Sequence, residues 1–403
     1  MLDIKKQFPW FKNNENYLYL DSAATTLKPQ CVIDSITEYY TKYSCNPHNN
    51  DSGFTQALND LVYEARKVVA KLVKSETPEQ IIFTSGATES LNTVANGLKE
   101  YLKKDDEVVI TYAEHASNLL PWINLKKEIG IKLVYANKKS HFPTEDDIIN
   151  AVNEKTKIVT FANGGNLIGH MLDDQYIANQ VKYKNKDVIV VVDATQSVQH
   201  RQNNAGNPNI DFLCFSAHKL CGPTGIGALY MKEKWLPLLK PLKFGGGMNV
   251  VIQEDDYILY TDYMRYEGGT PHVAGIIGFK KCVEFILDIG YENIHLHELE
   301  LVSYARKKLK ENPNISVYVQ NEESPTITFN YGGVFCQDFA HYLGQHKVIV
   351  RSGLSCAKLM DNIIETTCAV RASFYIYNTK DDVDRLINLI NQFKRGDELD
   401  GII

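Results

Sequence analysis

The chain has 403 residues, long enough to bury more than one core, so two domains are the starting expectation. Its 44% hydrophobic and 23% charged residues suit an ordinary folded protein, and a formal net charge of −6 argues against a nucleic-acid or anionic-membrane surface. No apolar run exceeds strand length, residues 1–16 carry no apolar signal core, and eight cysteines show no Cys-x-x-Cys pair, so the expectation is a cytoplasmic protein with free thiols, no membrane span and no disulfide scaffold.

In chain order, Tyr17-Leu-Tyr-Leu20 reads as a short strand running into Asp21-Ser-Ala-Ala-Thr-Thr26, a small-residue loop able to lie against a ligand. Apolar residues at 61, 65, 68, 69 and 72 form a helical stripe. Gln80–Thr84 reads as a strand. Ser85-Gly-Ala-Thr88 then opens a helix, and small residues there leave backbone N–H groups free for an anion. Strands follow at 107–111, 131–135, 157–162, 187–192, 212–216 and 226–231, with helical patterns at 144–153 and 173–184 between them. Apolar strands alternating with helices predict an α/β architecture: a mainly parallel seven-stranded sheet covered on both faces, with ligands at the strands' carboxyl ends.

Beyond Gly245-Gly-Gly-Met248 a loop-rich stretch leads to Gly268-Gly-Thr-Pro271. Helices at 272–289, 294–311, 337–345 and 380–395, with strands at 315–319, 326–330 and 347–351, predict a smaller α+β domain. The expected division is 17–265 for the large domain, with 1–16 and 266–403 forming the small one.

Two stretches carry chemistry. Phe212-Leu-Cys-Phe-Ser-Ala-His-Lys219 is an apolar run ending in polar residues, followed by a Gly-Pro-Thr-Gly turn and a second apolar run. A lysine held between two buried strands loses hydration, which lowers its pKa and makes it a nucleophile toward carbonyls. Asp187-Val-Ile-Val-Val-Val-Asp193 is an apolar strand whose carboxyl end bears Asp193, with Thr195 and Gln196 following. A Schiff-base lysine together with a carboxylate for a pyridinium nitrogen is the signature of pyridoxal phosphate enzymes.

With Lys219, Asp193, the 86–88 turn and Glu114-His-Ala-Ser-Asn118 in view, the chain resembles the class V aminotransferase-like pyridoxal phosphate enzymes, and within them the cysteine desulfurases of the Suf type. The likeness runs from Tyr19-Leu-Asp-Ser-Ala-Ala-Thr25 to Arg371-Ala-Ser-Phe-Tyr-Ile-Tyr-Asn378. It implies the fold type I transferase architecture and a homodimer. It also implies that Lys219 forms the Schiff base and moves the substrate's Cα proton, while Asp193 pairs with the pyridine nitrogen. Gln196 would lie near the phenolic oxygen, and His115 would stack on the ring. Ala87, Thr88, Ser216 and His218 would take the phosphate, with Thr270 reaching it from the other subunit. Asn166 and Arg371 would hold the substrate carboxylate in a site that includes Ala24 and Arg351. No metal is expected.

Val350-Arg-Ser-Gly-Leu-Ser-Cys356-Ala-Lys-Leu-Met360 selects the reaction. Cys214 and Cys282 sit in apolar periodic runs, as structural cysteines do, whereas Cys356 follows a strand and a Ser-Gly turn. A nearby Arg351 favours its thiolate. The resemblance places the catalytic cysteine here. It implies that L-cysteine gives up its sulfur to Cys356 as a persulfide, leaving L-alanine, and that a SufU-like or SufE-like acceptor protein then takes the sulfur for iron–sulfur cluster assembly. A selenocysteine lyase, another lyase of the class V group and an idle scaffold are the alternatives. The chain departs from the family at Leu354 and Ser355, where two histidines are usual, and at Asn46-Pro-His48-Asn-Asn-Asp-Ser52, which keeps one of two histidines and lacks an arginine. It also has His170 where threonine is common, and no histidine in Val334-Phe-Cys-Gln-Asp338.

Overall fold

The structure, a computed structural model, describes residues 4–47, 50–318 and 324–399; His48 and the end of the strand expected at 315–319 lie outside the described residues. A short helix α1 (Pro9–Asn13) and strand β1 (Leu18–Tyr19) precede α2 (Gln30–Glu38) and the long α3 (Gly53–Leu72). Strands and helices then alternate: β2 (Ile81–Thr84), α4 (Ala87–Gly97), β3 (Glu107–Ile110), α5 (Ala116–Ile129), β4 (Lys132–Tyr135), α6 (Glu145–Ala151), β5 (Thr156–Ala162), α7 (Asp174–Lys184), β6 (Ile189–Asp193), β7 (Phe212–Ser216) and β8 (Gly227–Met231). A hairpin, β9 (Asn249–Ile252) and β10 (Tyr257–Leu259), leads to α8 (Val273–Ile289) and α9 (Tyr291–Lys310). The remainder comprises β11 (Ile315–Tyr318), β12 (Thr326–Tyr331), α10 (Cys336–Gln345), β13 (Val348–Ile349), β14 (Arg351–Ser352), α11 (Asp361–Ile364), β15 (Val370–Ser373) and α12 (Lys380–Gln392).

The seven strands expected from the sequence form one sheet in the order β2-β8-β7-β6-β5-β3-β4, parallel except where β8 pairs with β2 and β7. Side chains alternate along the buried strands. Val190, Val192, Leu213 and Phe215 enter one core with α3, α7 and α8, while Ile189, Val191, Phe212 and Cys214 enter another with α4 and α5. Both faces being dry, these strands read as unbroken apolar runs. A second, antiparallel sheet, β11-β12-β15-β14, packs on α9, α10 and α12 around its own core. Strand β1 pairs in parallel with β13, tying the start of the chain to this region. No helix among the described residues is long and apolar enough to cross a membrane.

Differences from expectation have local causes. Helix α3 starts eight residues before its apolar stripe because Ser52 caps it, accepting from the Thr55 N–H at 3.2 Å. The strand expected at 347–351 is two short pieces, because Val348 and Ile349 pair with β1 while Arg351 and Ser352 pair with β15. The loop-rich stretch contains the β9–β10 hairpin. Cys336 and Cys368, expected to be free thiols, are joined in a disulfide with Cα atoms 5.8 Å apart, since α10 packs against the sheet bearing β15.

One buried ion pair fixes the large sheet's edge to the Gly268-Gly269-Thr270 segment. Arg66 of α3 meets Glu267 through two 2.7 Å bonds, Glu267 also accepts the Phe83 N–H at 2.6 Å, and the guanidinium lies 3.7 Å from the Tyr263 ring centre. Replacing Glu267 by alanine strands a buried guanidinium and an amide, so a loss of about 3–5 kcal/mol is expected by urea denaturation. A loss below about 1 kcal/mol contradicts this assignment.

Candidate active site

Each site element begins where a strand stops. Strand β5 ends at Ala162 and gives way to the loop bearing Asn166, β6 ends in Asp193, and β7 ends in Ser216 before the turn carrying His218 and Lys219. The turn after β2 adds Ala87 and Thr88. These ends enclose a cavity of about 300 Å³. All the expected site residues line it except Thr270, which lies exposed on its loop outside the cavity.

At one end is an anion cradle. Helix α4 starts at Ala87 without a side-chain cap, so its first amides and positive dipole end face the strand ends. Gly86 takes φ +151°, and Gly227 packs so closely that a Cβ there would lie 2.6 Å from the Gly86 Cα. The Ala87 N–H donates to Ser216 Oγ at 2.8 Å, and the Thr88 and Ser117 hydroxyls lie 2.8 Å apart. Burial, and then the charge of Lys219, push the His218 imidazole down to about 4, so the ring is neutral at pH 7. Its Nδ1 lies 3.2 Å from Thr25 Oγ1.

In the middle, Lys219 Nζ donates to the Ala23 carbonyl at 2.8 Å, and Gln196 Nε2 donates to the same oxygen at 2.8 Å. Burial, and next the positive charge of Arg371, lower the Lys219 amine from its ordinary 10.5 to about 7; Asp193 and Asp21 pull the other way. Among the described residues both hydrogen bonds made to the Asp193 carboxylate fall on Oδ1, from the Thr195 N–H at 3.0 Å and the Thr195 hydroxyl. His115 caps α5, its Nδ1 accepting the Ser117 N–H at 3.1 Å, and burial lowers its pKa. Beneath it Glu114 is fully enclosed, accepting from Thr111 Oγ1 at 2.6 Å, Asn118 Nδ2 at 2.8 Å and the Ala162 N–H at 2.9 Å, and burial raises its carboxyl to about 7.

The far end carries positive charge and the thiol. Arg371, 1% exposed, donates to the Asn166 carbonyl at 2.6 Å and to Asp21 Oδ1 at 2.7 Å, while its Nε is buried with no partner among the described residues. Arg351 also grips Asp21, at 2.9 Å from Nη2. Cys356 is exposed. Its loop is docked by three contacts: Asn166 Nδ2 to the Ser355 carbonyl at 2.6 Å, the Ala116 N–H to the Cys356 carbonyl at 3.0 Å, and Leu354 buried among Ala113, Leu167 and Ile168. Ser355 and Cys356 hold left-handed φ values of 48° and 64°, a strained conformation for residues with side chains.

The donor set fits pyridoxal 5′-phosphate. Hydroxyls, a neutral imidazole and helix amides suit the phosphate, and an aspartate with one carboxylate oxygen uncommitted among the described residues suits a protonated pyridine nitrogen. An amine titrating near 7 suits the carbonyl carbon. Asp21, Ser117, Thr195 and Ser355 also belong to this region, and the sequence reading did not assign them. Thr195 stands two residues after the assigned aspartate, a local signal; Asp21 has none, because its partners lie 330 and 350 residues away.

Residues 18–386 match the model of the family described as Aminotransferase class-V, and the chain belongs to that family of pyridoxal phosphate-dependent enzymes. Within it, the chain is 56% identical over 403 residues, the whole of both chains, to a probable cysteine desulfurase of Ureaplasma parvum serovar 3. The apo structure of cysteine desulfurase from Thermococcus onnurineus NA1 superposes with a TM-score of 0.91 at 32% identity, covering 97% of each chain. That of the cysteine desulfurase CsdA (S-sulfonic acid) from Escherichia coli superposes with a TM-score of 0.89 at 30% identity, again over 97% of each.

In the cofactor-free protein, acylation of Lys219 by an amine reagent, read by peptide mass spectrometry against pH, should be half-maximal near the amine's value of about 7. The direction follows from desolvation: the neutral, reactive amine predominates above that pH. A midpoint near the ordinary 10.5 contradicts the lowered value.

Proposed function

We propose that the protein is a cysteine desulfurase, converting L-cysteine to L-alanine and leaving the sulfur on Cys356 as a persulfide. The observation that carries this reading is the shared cavity: an exposed cysteine, a desolvated lysine and a buried arginine with a donor unpartnered among the described residues line one space of about 300 Å³. Bound pyridoxal 5′-phosphate supplies an electron sink that weakens the Cα–H bond and then the C–S bond of the amino acid.

The chain's residues do the rest. The Lys219 amine would hold the cofactor's carbonyl carbon, and it is the group placed to take the substrate's Cα proton. Asp193 would keep a proton on the pyridine nitrogen, and Gln196 would hydrogen-bond the phenolic side of the ring. Ala87, Thr88, Ser216 and His218 hold the phosphate. His115 packs on the ring, with Glu114 fixing the base of its helix. Arg371, with Asn166, orients the substrate carboxylate beside Ala24; an arginine there offers a planar pair of donors. Cys356 attacks as the thiolate: a new S–S bond forms, the C–S bond breaks, and its electron pair stays on carbon, which takes up protons to become alanine.

The exposed position of Cys356 supports delivery of the sulfur to a second protein, an acceptor of the SufU-like or SufE-like kind serving iron–sulfur cluster assembly. A homodimer is supported by Thr270, left outside its own chain's cavity, and by the apolar hairpin, where Val250, Ile252, Tyr257 and Ile258 are 56%, 70%, 53% and 58% exposed.

Cys356→Ala is expected to abolish alanine formation from cysteine, at least about a hundredfold, while the cofactor's absorbance band is kept. Retained turnover rules out Cys356 as the sulfur nucleophile. Light scattering on the holoenzyme should give twice the 45.7 kDa of one chain, and a monomer binding the cofactor fully contradicts a role for Thr270 across the interface.

A further inference from the structure

We propose that Asp21 determines substrate specificity: its carboxylate bridges Arg351 and Arg371 and leaves their subsite one net positive charge, matched to amino acids with a single carboxylate. The inference rests on the reading of Arg371 as the holder of the substrate carboxylate.

Register creates the problem that Asp21 answers. Strands β14 and β15 pair antiparallel with Arg351 directly opposite Arg371, so two guanidinium groups meet across one rung. Like charges placed so repel. Asp21 sits alongside because it bridges to Ser373 on β15, two residues beyond Arg371. Its Oδ1 accepts from Arg371 Nη2 at 2.7 Å and lies 3.3 Å from Arg351 Nε; its Oδ2 accepts from Arg351 Nε at 3.1 Å and Nη2 at 2.9 Å. Asp21 is 6% exposed and Arg371 1%, so that pair lies out of water, whereas the Arg351 side chain is 47% exposed and its charge is partly screened.

Two cations against one anion leave one positive charge. Arg371 Nη1 is taken by the Asn166 carbonyl, whereas Nε–H is buried without a partner among the described residues, a donor in place for an incoming carboxylate. Arg351 lies on the other side, close enough to Cys356 to interact with its charge. A second carboxylate, placed where cysteine carries its thiol, therefore gains from Arg351 only when Asp21 no longer holds it. Asp193 and Lys219, the other charged groups lining the cavity, are engaged with the cofactor in this reading.

The test titrates L-alanine (one carboxylate) and L-aspartate (two) into the holoenzyme and follows the cofactor's absorbance for dissociation constants. Asp21→Asn raises the subsite charge to two, and aspartate should gain on alanine by about tenfold in the ratio of constants. Arg351→Gln lowers it to zero, and alanine should weaken by about tenfold. The double variant restores one charge and should return the ratio to within about threefold of the unaltered enzyme. A ratio unmoved within about twofold by Asp21→Asn overturns the proposal. Should that variant fail to bind cofactor, the double variant, which removes the repulsion between the arginines, decides alone: an unrecovered ratio overturns it. Failure of the desulfurase reading is separate, appearing as no alanine from cysteine in the unaltered enzyme while these binding ratios stand.

Discussion

An amine is a nucleophile only where water does not keep it protonated, and this constraint shapes the site. Lys219 is lowered to about 7 chiefly because packing at the end of β7 strips its hydration, with Arg371 adding like-charge repulsion. The surrounding sheet makes that burial possible: β5, β6 and β7 are dry on both faces, and the amine finds a hydrogen-bond acceptor in the Ala23 carbonyl from the other end of the chain. Asp193 on the neighbouring strand offsets part of the depression, so the lysine titrates within the physiological range.

The same burial organises the two ends of the cavity. At the anion cradle His218 is held neutral, so hydroxyls and helix amides are the groups that suit a phosphate, with the Lys28 ammonium close behind, donating to the His218 carbonyl at 3.1 Å. At the thiol end, charge is abundant and balanced. Asp21 joins two arginines that register alone would set against each other, and Asn166 links Arg371 to the Cys356 loop through its carbonyl and its amide. The strained left-handed pair Ser355 and Cys356 is held by backbone contacts on either side, which presents the thiol to the cavity and to solvent together.

Much of this was legible in the sequence because the physics is local. Strands buried on both faces must be continuous apolar runs, and chemistry at their carboxyl ends must appear as an abrupt change of residue type, as at Asp193 and at Ser216 to Lys219. What escaped depends on long-range closure. The partners of Asp21 are hundreds of residues away, and Cys336 meets Cys368 only because α10 packs on the second sheet. The split of 347–351 follows from two different neighbours claiming adjacent residues. The exposed hairpin 249–259 breaks the usual pattern by turning apolar side chains outward. Thr270 is exposed and lies outside the cavity of its own chain.

The central claim is that sulfur passes from a bound amino acid to one particular thiol. Its most direct measurement is the mass of the Cys356 peptide after the holoenzyme meets L-cysteine without an acceptor, under non-reducing conditions. The account predicts one added sulfur atom on Cys356, reversed by a thiol reductant and absent from the peptides of Cys31 and Cys45. An unmodified Cys356 in protein that is forming alanine, or sulfur appearing on another cysteine in its place, contradicts it.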